Sequence, residues 1–160
     1  MRKYLVNYFL EQFRGTLFRQ TMFAEFEKIT HEMAEKGEPL TWEGMNKIYH
    51  DLNRLYFGDD IVIDEEIDIE WARIPHFYNA FYVYQYATGF SSAVALAHGI
   101  LKEGAPAVER YKKFLSGGCS ASPVELLKIA GVNLETPKPI QEALDVFGEV
   151  LDEIEALLAE

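Results

Sequence analysis

Cysteine is nearly absent from this chain: Cys119 is its only thiol. One thiol cannot form an internal disulfide framework, and such usage fits a reducing compartment. Basic residues are also scarce. Fifteen Lys and Arg against 26 Asp and Glu leave a net charge of −11. That balance makes the chain a poor candidate for a general nucleic-acid binder, since little would drive counterion release. No apolar run approaches the ~20 residues needed to span a bilayer. The opening MRKYLVNYFLEQF is interrupted by Asn7, Glu11 and Gln12 where a signal peptide would be apolar. Neither a Walker-type glycine loop nor a GxGxxG turn occurs, so phosphate binding of that kind has no support. What is present is 160 residues with 49% apolar content, enough for one domain with a sizeable core. The expectation is a soluble, cytoplasmic domain with neither nucleic-acid nor membrane partners.

Apolar spacing predicts helix almost throughout. From Arg2 to about Glu35 no proline intervenes, and Val6, Phe9, Leu10, Phe13, Leu17, Met22, Phe26, Ile29 and Met33 recur at gaps that fit a helical stripe. Tyr4, Tyr8, Phe18 and Phe23 lie off that stripe, so this helix should be sandwiched between neighbours. Thr41 can cap a second helix that Gly58 ends. The run DDIVIDEEIDIE, residues 59–70, holds seven acids and no base. Its alternation resembles a strand, but a lone strand has nothing to pair with, so a loop or extended crossover is expected. The acids themselves are either a solvated face or a lining that favours basic peptides.

A third helix is expected to start between Pro75 and Asn79 and to run to about Lys102, and a fourth covers Pro106 to Leu115. Ser122-Pro123-Val124-Glu125 is a capping box with proline at the first helical position, and Gly131 closes that short helix. The last helix carries Ile140, Leu144, Phe147, Leu151, Ile154 and Leu158 at alternating gaps of four and three. The class is therefore all-α, a single domain over residues 1–160 with about six helices.

Few residues promise chemistry. His31-Glu32-Met33-Ala34-Glu35 resembles half of a zinc helix, but the fifth position is Glu rather than the second His of HExxH. A His and Glu one turn apart are more often an ordinary surface pair. His50, His76 and His98 form no other ligand spacing, so no metal site is expected. Ser116-Gly117-Gly118-Cys119-Ser120 reads as a flexible turn that either connects two helices or touches a ligand, and Cys119 as a passive thiol.

The segment from Ile74 to Phe90 is different. Seven aromatics fall between Phe77 and Phe90, four of them tyrosines. On a continuous helix Tyr78, Tyr82 and Tyr86 would stack at successive turns. Such phenols suit either a wet cleft wall that donates to a carbonyl or oxyanion, with His76 as a second donor, or a helix at an interface with its hydroxyls toward water. Composition alone does not separate the two.

The stretches NYFLEQFRGTLFRQTMFAEFE, IPHFYNAFYVYQYATGFSSA and ERYKKFLSGGCSASPVELLKIAGVNLETPKPIQEAL are similar to the C-terminal part of the oligoendopeptidase F family. These are thimet-oligopeptidase-like zinc metallopeptidases. The resemblance covers nearly the whole chain. It implies a helical catalytic half around a channel for short peptides, with zinc held by HExxH and a downstream Glu. It also implies that His76, Tyr78 and Tyr82 donate to the substrate carbonyl or oxyanion, with Tyr86, Gly117 and Gly118 as substrate-binding residues. HExxH does not occur here, which departs from the family pattern. The expectation is a substrate-binding lobe with no bound zinc of its own, inactive alone, that partners a zinc-bearing N-terminal portion or self-associates. A non-enzymatic helical interaction module on the same scaffold is the alternative.

Overall fold

The computed structural model describes residues 1–159, and among them there is no β-strand. Seven α-helices follow in chain order: α1 (Arg2–Gln12), α2 (Arg19–Glu35), α3 (Trp42–Phe57), α4 (Tyr84–Glu103), α5 (Ala105–Ser116), α6 (Pro123–Ile129) and α7 (Lys138–Ala159). The count exceeds the expected six because the long N-terminal helix is divided by a π-helical turn, Phe13–Phe18. A π turn holds an extra residue, so the stripe read across residues 2–35 changes phase inside that turn. The chain folds as two compact units, one of Met1–Phe13 with the chain from Thr88 onward, the other of Arg14–Ala87.

In the first unit α1 packs along α7 and α5 along α6. Phe13 is completely buried, its ring 5.0 Å from Phe90 edge-on, 5.2 Å from Phe147 and 5.1 Å from Phe9. Burial of such a ring contributes about 1.5–3 kcal/mol. The capping box forms as its sequence predicts. The Ser122 side chain accepts from the Glu125 N–H, and the Glu125 carboxylate accepts from the Ser122 N–H. Gly131 follows at φ 96°, a conformation that glycine adopts without strain.

In the second unit α2 packs on α3, and a 3₁₀ segment (Glu65–Arg73) packs on α3. Their core is Met22, Phe23, Phe26, Tyr49, Leu52, Ile74 and Val83. Trp71 donates its indole N–H to the Asn46 side chain at 2.8 Å and stacks on Phe26. The expected loop at residues 59–70 is therefore half right, with its second half wound as 3₁₀ turns. That half also holds a buried acid. Glu70 is 5% exposed and takes hydrogen bonds from Tyr49 (2.6 Å), Arg19 (2.6 Å) and Arg73. One carboxylate thus ties α2 and α3 to the 3₁₀ segment.

Candidate functional site

Pro75 opens a single 3₁₀ turn (Pro75–Tyr78) that carries His76. Proline suits that first position because its fixed φ matches the turn and its missing N–H has no helical partner to lose. The chain then bends. The Tyr82 N–H bonds the Asn79 carbonyl at 3.1 Å, and α4 begins only at Tyr84. This corrects the expected helix start between Pro75 and Asn79. A helix through this stretch would send the Phe81 N–H back to the Phe77 carbonyl. Instead, that N–H donates 2.7 Å to Oε1 of Glu27 on α2. Phe81 is held at φ 58°, the position that type II turns reserve for glycine.

The bend replaces the expected tyrosine ladder with a different cluster. His76 Nε2 lies 3.1 Å from the Tyr86 hydroxyl. The Tyr82 ring runs parallel to the imidazole, with centroids 6.2 Å apart, and Tyr86 meets both edge-on at 5.2 and 5.7 Å. Tyr82 is 41% exposed and Tyr86 37%, so these phenols meet water. Tyr78 does not share this cluster. Its side chain is largely exposed and borders a cavity of about 240 Å³ lined also by Phe26, Thr30, Met45, Trp71 and Phe77. That volume is below the ~300 Å³ typical of small-molecule pockets.

The electrostatics keep Tyr86 a phenol. The hydrogen bond with Tyr82, then lost hydration, pushes the Tyr86 hydroxyl above its ordinary range, so it stays protonated at neutral pH. His76 Nδ1 is buried with no hydrogen-bond partner. In the neutral tautomers an unpaired lone pair is easier to bury than an unpaired N–H, which favours the Nε2–H form. Nε2–H then donates to the Tyr86 oxygen. The Tyr86 O–H is left free to donate to Tyr82, and the Tyr82 O–H to donate outward.

Gly117 and Gly118 follow the last residue of α5. A Cβ on Gly117 would come within 2.6 Å of Leu126 Cδ2 and 3.2 Å of the Phe114 carbonyl oxygen, so a side chain there would require Leu126 to shift. Gly118 sits at φ 54° with open space beside it. Cys119 is exposed.

Sequence reasoning missed two acids, Glu27 and Glu70, each nearly buried. Glu27 falls on the apolar stripe between Phe26 and Ile29, a weak signal of burial. Glu70 ends an acid run and gives no local sign of its partner Arg19. Among the described residues no group of three or more His, Cys, Asp or Glu is arranged to hold a metal ion. The donors present therefore do not fit a zinc site.

Comparison with known proteins identifies the family. The model of peptidase family M3 matches residues 1–146. The oligopeptidase PepF of Bacillus subtilis is 59% identical over 98% of this chain, which spans 23% of that protein. The chromosomal oligoendopeptidase F of Lactococcus lactis is 44% identical over 96% of the chain and 26% of its own length. The crystal structure of oligoendopeptidase-F from Enterococcus faecium superposes with a TM-score of 0.95 at 47% identity, over 99% of this chain and 30% of that one. The chain thus spans about a quarter of the curated relatives it matches.

Proposed function

The chain belongs to peptidase family M3, and on that premise we propose that it supplies the substrate-facing donors of a peptide-hydrolysing site. The observation that carries this reading is the half-exposed relay from His76 through Tyr86 to Tyr82. Peptide hydrolysis builds negative charge on the scissile carbonyl oxygen, and preorganised neutral O–H and N–H donors stabilise it without first being deprotonated. Tyr82, at the outer end of the relay, is the donor best supported by its neighbours. Tyr86 holds it and His76 feeds it. Tyr78, free in solvent, offers a separate phenol to the substrate backbone. Gly117 and Gly118, in the other compact unit, are proposed separately as backbone that a peptide can approach, with open space beside Gly118.

Zinc enters only as the family's cofactor. Since the donors here do not fit it, its ligands and the water-activating base would come from the rest of a longer protein. The chain alone is then inactive. Its partners are short peptides and that zinc-bearing portion.

The test is a chimaera in which this chain replaces the matching quarter of the Bacillus relative. Tyr82→Phe should lower kcat for a short peptide by roughly a hundred- to a thousand-fold with KM little changed, the range for losing one oxyanion donor. A chimaera that cleaves equally well with Phe at residue 82 refutes the donor role. Exposed Tyr4, Leu5 and Tyr8 on α1 favour a second reading, a helical module that self-associates. Sedimentation of the chain as a monomer at tens of micromolar counts against it.

A further inference from the structure

We propose that Glu27 is a positioning residue, setting where Tyr82 stands against His76 and Tyr86 through the backbone of Phe81. The assignment rests on reading those three as substrate-facing donors. Glu27 lies on α2 and is 4% exposed. A carboxylate leaves water only where something compensates it, and here Oε1 accepts the Phe81 N–H at 2.7 Å, the length of a charge-assisted bond. Phe81 is the one non-glycine residue at positive φ among the described residues. A bulky side chain stays in that region only when its surroundings over-determine it. The buried acid and the strained backbone are the two ends of one bond.

A second contact holds the same residue. His31 lies one helical turn beyond Glu27, hence on the same face of α2, and its ring sits 4.5 Å from that of Phe81. Tyr82 follows Phe81 directly and closes the bend onto Asn79. If Phe81 rotated to negative φ, the chain would leave it in another direction and carry Tyr82 off the imidazole. Val83, fully buried in the core, fixes the chain just beyond, so the freedom that Glu27 removes is concentrated at residues 79–82.

The experiment uses the 160-residue chain and nuclear magnetic resonance, with three variants. Glu27→Asp keeps the charge but draws the acceptor back by one methylene. Glu27→Gln keeps a carbonyl acceptor at full reach. Glu27→Asp combined with Phe81→Gly allows the bend without a latch, since glycine adopts positive φ freely. The expected result for Glu27→Asp is a loss of Phe81 amide protection of about tenfold or more, with α5 and α6 amides unchanged. Cross-relaxation of the Tyr82 ring with the His76 and Tyr86 rings should fall at least about twofold with it, as local opening frees only this segment. Glu27→Gln should retain those ring contacts, and Phe81→Gly should restore them in the Asp background.

Wild-type ring contacts in Glu27→Asp overturn the assignment, as does protection lost evenly over the whole chain. Should Glu27→Asp fail to fold, Glu27→Gln decides: retained ring contacts support the latch and lost ones overturn it. The donor reading itself is judged separately, by Tyr82→Phe turnover in the chimaera.

Discussion

Replacing Glu70 should weaken the Arg14–Ala87 unit strongly. Its carboxylate is 5% exposed and holds three donors of unequal worth. Tyr49 is fully buried, and its bond to a charged acceptor contributes about 1.5–3 kcal/mol. Arg19 keeps 26% of its side chain in water, so its share falls at the lower end, about 1.5 kcal/mol. Arg73 is 72% exposed and adds close to nothing. Glu70→Ala should therefore cost about 3–4 kcal/mol, within the range for breaking a buried pair from one side. With a urea slope of about 2 kcal/mol per molar, the unfolding midpoint followed by circular dichroism should fall by about 1.5–2 M. Glu70→Gln keeps an acceptor for Tyr49 and should lose about half as much. A Glu70→Ala midpoint within about 0.3 M of the parent, at unchanged slope, would show that the three donors do not depend on this carboxylate.

Three further outcomes follow from the same coordinates. Burial pushes the Glu70 carboxyl up, but the Tyr49 and Arg19 hydrogen bonds and the Arg19 and Arg73 charges outweigh it and hold it below the ordinary range. Its stability contribution is therefore present above the unfolded value near ~4.3 and lost as pH falls further, so the urea midpoint should drop on acidification and Glu70→Gln should flatten that drop. Burial, then the bonds to Glu70 and Glu25, push the Tyr49 and Tyr56 hydroxyls well above the usual range. Stability should be full below ~10 and fall as pH rises beyond it, with phenolate absorbance from these two appearing only as the chain unfolds. At the surface, Ser122→Ala removes the capping box and should cost about 1 kcal/mol in thermal melts.

Local chemistry was legible wherever neighbours in sequence set the structure. Thr41 accepts from the Gly44 N–H and Gly58 terminates α3 at φ 80°, while Ser122 and Gly131 bound α6, all as their residue types require. The start of α4 was not legible. Nothing between Pro75 and Tyr84 forbids a helix, and the decisive acceptor for the Phe81 N–H is Glu27, 54 residues earlier. The burial of Glu70 was hidden for the same reason, its partner Arg19 lying 51 residues away. The tyrosine-rich composition of the candidate segment was legible, and the structure leaves Tyr78, Tyr82 and Tyr86 exposed. Its internal geometry depended on a bend that no periodicity encodes, which is why Tyr78 stands apart from Tyr82 and Tyr86. The π turn at Phe13–Phe18 did leave a trace, the five-residue step from Leu17 to Met22 in the apolar spacing.

The two indoles of the chain differ in surroundings: Trp71 is stacked on Phe26 and bonded to Asn46, while Trp42 stands 62% exposed at the start of α3. Their emission should therefore consist of a blue component and a red one, with an aqueous quencher reaching mainly the latter. Loosening of the Glu65–Arg73 segment would convert the first into the second while the helical signal barely changed, giving the fold a built-in optical reporter for the region that Glu70 anchors.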